Sequence, residues 1–371
     1  MRVVLDGRVA IDHFPGIGRV AVSLAEALLR VAPALELIVL EDTSAPPASR
    51  QAIAAPRAGV DASVFAASQQ WRVPARLRAL RPDLYHSLFY LMPYRPGVPT
   101  VFTCHDLIPL RRPDLFPPWK RAAYDVGHRL AIAASRAVLA VSAATADDVR
   151  ARYRVAPGRL RVVPNGVGPE FAPPGPSERA RVRAAYDLPE DYLLFVGSNR
   201  PHKNLPRLVA AFGRARAAEG ADFPPLVVAG PFSERHPEAR ALAERLPPGS
   251  VRFLGPVPGP DLPALYGGAV AFAFPSEIEG FGLPVLEAMA SGAPTITSAG
   301  SSLAEVAGDA ALLVPPGDVE AIAAALRTVW RDAELRATLR ARGLARAAAF
   351  TWESSARATL AAYHAVLGGS A

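Results

Sequence analysis

Cysteine is almost absent from this chain of 371 residues: Cys104 stands alone. An internal disulfide and a cysteine-based zinc cluster are therefore excluded, and a reducing cytoplasm is the expected setting. Long apolar runs are missing as well. The start, MRVVLDGRVAIDHF, has too short an apolar stretch for a signal peptide, and no segment reaches the length of a membrane span. No D-x-D triplet and no histidine cluster occurs, so no metal is expected. Aromatic residues make up 8% of the chain and are not interleaved with the basic ones, while the net charge of +7 rests on scattered arginines. That distribution argues against nucleic acid. It leaves anionic small molecules, or peripheral contact with the anionic inner face of the plasma membrane, as partners for a basic chain. Heptads, internal repeats and low-complexity tails are absent too.

What is present is an alternation. Half of the residues are hydrophobic, enough for two cores, and the length suggests two domains. Apolar runs at Arg2 to Asp6, Leu35 to Leu40, Thr100 to Cys104, Ala137 to Ser142, Tyr192 to Gly197, Leu226 to Gly230, Val251 to Leu254 and Val270 to Phe274 read as buried parallel strands. Segments with helical periodicity separate many of them, and Ser142 is placed to cap one such helix. Residues 43–60 are rich in proline and carry no pattern, and none is assigned to residues 107–136. A helix over Trp71 to Leu80 is basic and is a candidate for touching a membrane or an anionic acceptor. The proline-dense stretch from Pro169 to Pro176 marks a boundary. The fold class predicted is α/β, as two doubly wound Rossmann-like domains, 1–170 and 171–351.

The most informative stretch runs from Phe274 to Gly292, PSEIEGFGLPVLEAMASG after the phenylalanine. It reads as a strand end, a glycine turn at Gly280 and Gly282, and a short helix opened by Pro284. The free N–H groups of that helix start make an anion site. Glu279 stands before the turn and Glu287 inside the helix. This string resembles the signature of the family-4 retaining glycosyltransferases, enzymes of GT-B fold. The likeness extends along the chain: the Gly16-Ile-Gly18 segment, His105-Asp106 at a strand end, Pro164-Asn165-Gly166, the loop from Ser198 to Asn204 with Lys203, and Ser301-Ser-Leu-Ala-Glu305.

The resemblance implies roles. Lys203, Arg200 and the N–H groups of Gly282 and Leu283, with Phe281 in the same turn, would hold the donor diphosphate. Family members commonly carry arginine directly after the glycine; here that position is Ser198, and Arg200 is assigned the role. Glu279 would contact the sugar and support an oxocarbenium-like state, His105 would hydrogen-bond the sugar, and Glu287 would accept the ribose hydroxyls. Gly16-Ile-Gly-Arg opens an amphipathic helix with Val20, Leu24, Leu28 and Val31 on one face; the resemblance adds that Gly16 and Gly18 would form a loop that reaches the diphosphate as a cleft closes. A terminal helix over 352–371 would cross back to the first domain. On the acceptor side His86, Tyr90 and Asp106 are candidates, with Asp106 placed to orient His105. Asp6-Gly-Arg8, the HSLFY strand and the run SSLAEVAGDAALLVPP look like bacterial polysaccharide mannosyltransferases. The donor implied is GDP-mannose and the acceptor a glycan or lipid-linked glycan, with a UDP-sugar as the alternative donor. Two readings of other classes remain. Gly16-x-Gly18-x-x-Ala21 with Glu41 or Asp42 formally matches an NAD fingerprint, although the residues from Gly7 to Pro15 separate strand and glycine where the fingerprint allows none. The other reading is a non-catalytic nucleotide-sugar binding protein.

Overall fold

Two parallel sheets organise the computed structural model, which describes residues 1–368. The chain divides into two compact units: Met1–Gly166 together with the segment from Thr351 on, and Val167–Phe350. In the first unit, β1 (Arg2–Asp6), β2 (Glu36–Asp42), β3 (Arg57–Val60), β4 (Leu84–Ser87), β5 (Thr100–Cys104), β6 (Ala137–Ala140) and β7 (Leu160–Val162) are ordered β3-β2-β1-β4-β5-β6-β7. In the second, β8 (Leu193–Val196), β9 (Leu226–Ala229), β10 (Val251–Gly255), β11 (Ala271–Phe274), β12 (Thr295–Ser298) and β13 (Ala311–Val314) are ordered β10-β9-β8-β11-β12-β13. Neighbouring strands pair in parallel throughout, so that Leu5, for example, lies in register between Val39 and His86.

The central strands are buried on both faces, which is why they read as continuous apolar runs. LYHS, TVFTC, AVLA, AFAF and TITS are buried at every position. Some helices start on a side-chain cap: the Ser142 hydroxyl accepts from Thr145 N–H, and Asp318 and Asp332 do the same for later helices. Several elements lay outside the sequence pattern, among them the short helices Ile108–Arg111, Glu238–Ala243 and Leu262–Gly267. Edge strand β3 falls in the proline-rich stretch that gave no signal. A helix, Pro118–Ala134, fills part of the unassigned segment.

Strand order reverses at β1/β4 and again at β8/β11. Loops leaving the carboxyl ends of those strand pairs diverge and open a crevice, the place where open α/β sheets bind ligands. Loops after β8 and β11 are the ones that carry Lys203 and Glu279.

The last helix, Trp352–Gly368, packs along the helix Pro15–Val31 of the first unit and buries Trp352, Ala356 and Tyr363. The rest of its expected span, 369–371, lies outside the described residues. Gly166 is needed where the chain leaves this unit, because a Cβ there would sit 2.2 Å from the backbone nitrogen of Trp352. In the second unit Val167 N–H donates to Phe350 O at 2.9 Å.

Candidate active site

In the second unit the turn Pro201–Lys203 follows β8 and ends at Asn204, whose φ of 62° lies in the left-handed region that asparagine tolerates. The buried Asn204 amide donates to Pro275 O at 2.9 Å and Pro316 O at 2.6 Å, tying this turn to the loop after β11. Asn199, also buried, fixes the loop's other side through Ser233 and His236. Held this way, Lys203 Nζ meets both oxygens of Glu279, at 2.7 and 2.8 Å, and lies 5.2 Å above the Phe274 ring centroid. Ser276 Oγ sits 2.7 Å from Glu279 Oε1 and 2.8 Å from His202 O. The Ser302 hydroxyl donates to the Glu279 carbonyl at 2.8 Å. An ammonium has three donors, so two bonds to Glu279 leave one N–H for a ligand.

Gly282, with φ of 113°, forms the N-cap of the helix Leu283–Ala290, where Pro284 occupies the first turn. Val285 and Leu286 N–H bond back to Gly282 O, and Pro284 has no N–H. The N–H groups of Gly282 and Leu283 therefore remain for an anion at the positive end of the helix dipole. Glu287 is 4% exposed on this helix and accepts from the Tyr266 hydroxyl at 3.2 Å. Arg200 is exposed at the head of the Pro201–Lys203 turn. Phe281 corrects an expectation: its ring is buried and packs edge-on against Phe350, so its side chain serves the core and only its backbone shapes the turn. Among the described residues no three His, Cys, Asp or Glu side chains are grouped so as to hold a metal ion.

In the first unit His105 follows β5 and is half-buried. Burial lowers its pKa to about 4, against the pull of its bond to Leu88. Its Nε2–H donates to Leu88 O at 3.0 Å, which fixes the tautomer and leaves Nδ1 as an acceptor. Leu88, not Asp106, thus orients the ring. Asp106 Oδ1 instead caps Ile108 N–H at 3.0 Å and accepts from Tyr124 at 3.2 Å. His86 is a second correction. It is 0% exposed, with Nδ1 2.7 Å from the Tyr363 hydroxyl and Nε2 2.7 Å from Thr103 Oγ1; burial, then the nearby His105, lowers its pKa to about 3. A ring with both nitrogens taken inside the core cannot reach an acceptor. Tyr90 is half-buried, stacked on His128 at 4.5 Å.

Gly16 and Gly18 do not form a loop. They lie in the first turn of the helix Pro15–Val31, and the buried Gly18 spends its N–H on Phe14 O at 2.7 Å. Gly18 therefore cannot serve a phosphate. The NAD reading loses its acid too: Glu41 is paired with Arg57, and Asp42 with Ser44.

Sequence reasoning missed an aromatic shelf. Phe14 from the loop after β1, Phe65 from the segment after β3 and Phe89 from the loop after β4 meet at centroid distances of 5.1 and 5.7 Å, and Phe65 is 60% exposed. Phe89 directly follows the residue that orients His105. Only the fold brings these rings together. Ser276 lay inside the quoted signature without a role, and Tyr266 carried no signal at all.

The family model described as Glycosyl transferases group 1 matches residues 177–346, and that described as Glycosyltransferase Family 4 matches residues 15–171. The chain is 32% identical over 289 residues to the O-antigen chain mannosyltransferase B of Escherichia coli, covering 77% of this chain and 75% of that one. It is 33% identical over 320 residues to the D-inositol 3-phosphate glycosyltransferase of Kribbella flavida, covering 79% and 74%. A solved structure of the Anabaena protein HepE, in complex with UDP and glucose, is similar with a TM-score of 0.76 at 17% identity, over 98% of this chain and all of that one.

Proposed function

The chain belongs to glycosyltransferase family 4, in the GT-B fold, and from that premise we propose that it is a retaining, metal-independent mannosyltransferase. Its donor in this reading is GDP-mannose. Its acceptor is a glycan or lipid-linked glycan of a cell-surface polysaccharide, met at the inner face of an anionic membrane. The relative that acts as an O-antigen chain mannosyltransferase supports the sugar.

The observation that carries the reading is the pairing of Lys203 with Glu279 beside the free N–H groups of Gly282 and Leu283. Charge builds on the departing diphosphate as the glycosidic bond breaks. Lys203 and the helix start, already held in place, meet that charge without reorganising, and Arg200 adds a second cation from the head of the turn. Glu279, anchored by Ser276 and Lys203, sets a carboxylate beside the positive charge that develops on the sugar. His105 Nδ1 accepts a sugar hydroxyl, and Glu287 accepts from the ribose. In the retaining course the acceptor hydroxyl attacks from the leaving-group face and gives its proton to a donor phosphate oxygen. The aromatic shelf, with Phe65 open to solvent, offers the acceptor a stacking surface.

A UDP-sugar donor is the second reading, favoured by the UDP bound in the HepE structure. A thermal-shift comparison of GDP, UDP, ADP and NAD, each with and without EDTA, separates the two, because a ligand that binds only the folded state raises the melting temperature. The expected result is a shift with GDP that EDTA does not change. A shift with UDP alone replaces the donor, and a shift with NAD alone removes the reading.

A further inference from the structure

The helix Pro118–Ala134 carries apolar side chains outward as well as inward. Its inner face buries Gly127, His128, Ala131 and Ile132. Its outer face exposes Trp119, Val126 and Leu130 at 68%, 54% and 42% of their surface, and Ala122, Ala123 and Ala133 are exposed beside them. At 3.6 residues per turn these six positions fall in one stripe about 100° wide. Trp71 is the one large apolar side chain that any other described helix exposes. The helix expected to touch a membrane, Gln69–Leu80, therefore has no such stripe.

Cations edge this stripe. Helical spacing puts Lys120 on one side of it and Arg129 on the other. Along the second edge lies a pocket of about 660 Å³ lined by Arg111, Arg121, Ala122, Asp125, Asp148 and Arg152. Asp125 is paired with Arg129 and Arg152, and Asp148 with Arg111. Lys120 and Arg121 have no carboxylate partner among the described residues, and Arg121 Nε is buried without a hydrogen bond. A contiguous exposed apolar face marks an interaction site. A second copy of the same face would bring Lys120 and Arg121 against their own kind, which like charges oppose. An anionic, apolar partner satisfies both features.

We propose that this helix seats the protein on an anionic phospholipid surface. The stripe lies in the interface with Trp119 at headgroup depth, and the pocket beside it receives a lipid phosphate. The inference deepens the membrane part of the reading above and rests on it. It names the surface and the lipid class.

The test is sedimentation of the full chain with vesicles of phosphatidylcholine containing phosphatidylglycerol, and with phosphatidylcholine alone. Binding needs neither donor nor acceptor, so its failure is distinct from a failure of sugar transfer. Wild type is expected to bind only the anionic vesicles and to be released by salt. Trp119→Glu and Leu130→Glu should each lower the partition coefficient at least about tenfold, and Lys120→Glu roughly fivefold, with melting temperatures unchanged because all three side chains face solvent. Trp71→Glu should bind as wild type does. The proposal is overturned if wild type ignores anionic vesicles, if Trp119→Glu binds equally well, or if Trp71→Glu is the variant that fails. It is also overturned if inorganic phosphate displaces the protein at constant ionic strength, since the site would then take a free anion.

Discussion

Lys203 and Glu279 hold each other through two part-buried hydrogen bonds, so neither can be changed alone without disturbing the other. Lys203→Ala should lose at least about a hundredfold in kcat/KM, the scale of one charge-stabilising donor. It also leaves Glu279 without its counter-ion, so the melting temperature should fall in the same variant. Unchanged steady-state kinetics would end the diphosphate account. Glu279→Gln separates the roles: nucleotide binding by thermal shift should survive while turnover is lost, and a variant that turns over normally would remove Glu279 from the chemistry. The histidines make a different prediction. Burial lowers His86 to about 3, and His105 and His128 to about 4, all in the first unit. Their folded values lie below the ordinary 6.5, so the unfolded chain binds protons first as pH falls. Stability present above pH ~6.5 is then lost progressively toward pH ~4, and melting curves should move down between pH 7 and pH 5. A Tm that holds constant across that window would contradict the burial of these rings.

Most strands were readable element by element because parallel strands buried on both faces leave no alternation, only apolar runs. Edge strand β3 did not read this way. Its burial alternates, Arg57 and Gly59 facing solvent and Ala58 and Val60 the core, within a stretch broken by prolines. The helix Pro118–Ala134 was hidden because its apolar residues occupy both faces, which blurs helical periodicity. Within the site, spacing made legible only that Lys203, Glu279 and Gly282 lie in loops at strand ends, their roles coming from the resemblance, whereas His86 was misplaced: a histidine in β4 looks the same in sequence whether it faces a crevice or the core. Gly16 and Gly18 do open the amphipathic helix that the sequence pattern shows, but not the loop that the resemblance implies, because Phe14 O, four residues back, takes the Gly18 N–H. Gly282 supports a prediction at this scale. Its φ of 113° is strained for any residue with a side chain, and a Cβ would lie 2.6 Å from Leu303. Gly282→Ala should cost about 1–3 kcal/mol and tilt the two free N–H groups, so denaturant titration should show lower stability and thermal shift a weaker response to nucleotide. A variant with wild-type nucleotide response would mean that the helix start does not hold the phosphate.

The first unit is built from two stretches of chain separated by the whole of the second, and its closing piece is the helix Trp352–Gly368. That helix contributes more than apolar area. The Tyr363 hydroxyl is hydrogen-bonded to His86 Nδ1 inside the core, and Trp352 and Ala356 are buried as the helix packs along Pro15–Val31. Val167–Phe350, by contrast, is continuous in sequence and carries the residues proposed for the diphosphate and the ribose, from Arg200 to Glu287. Tyr363→Phe keeps the ring and removes the partner of a buried nitrogen, which costs about 1–3 kcal/mol. Denaturant melts should show that loss in the first unit alone, with the response to nucleotide kept. Truncation after Phe350 removes the whole helix, and the first unit should then fail to fold while the second still melts cooperatively and still responds to GDP or UDP. If the truncated chain instead lost its nucleotide response, stability of the second unit would depend on the returning helix, and the division of the molecule into one interrupted and one self-sufficient unit would be wrong.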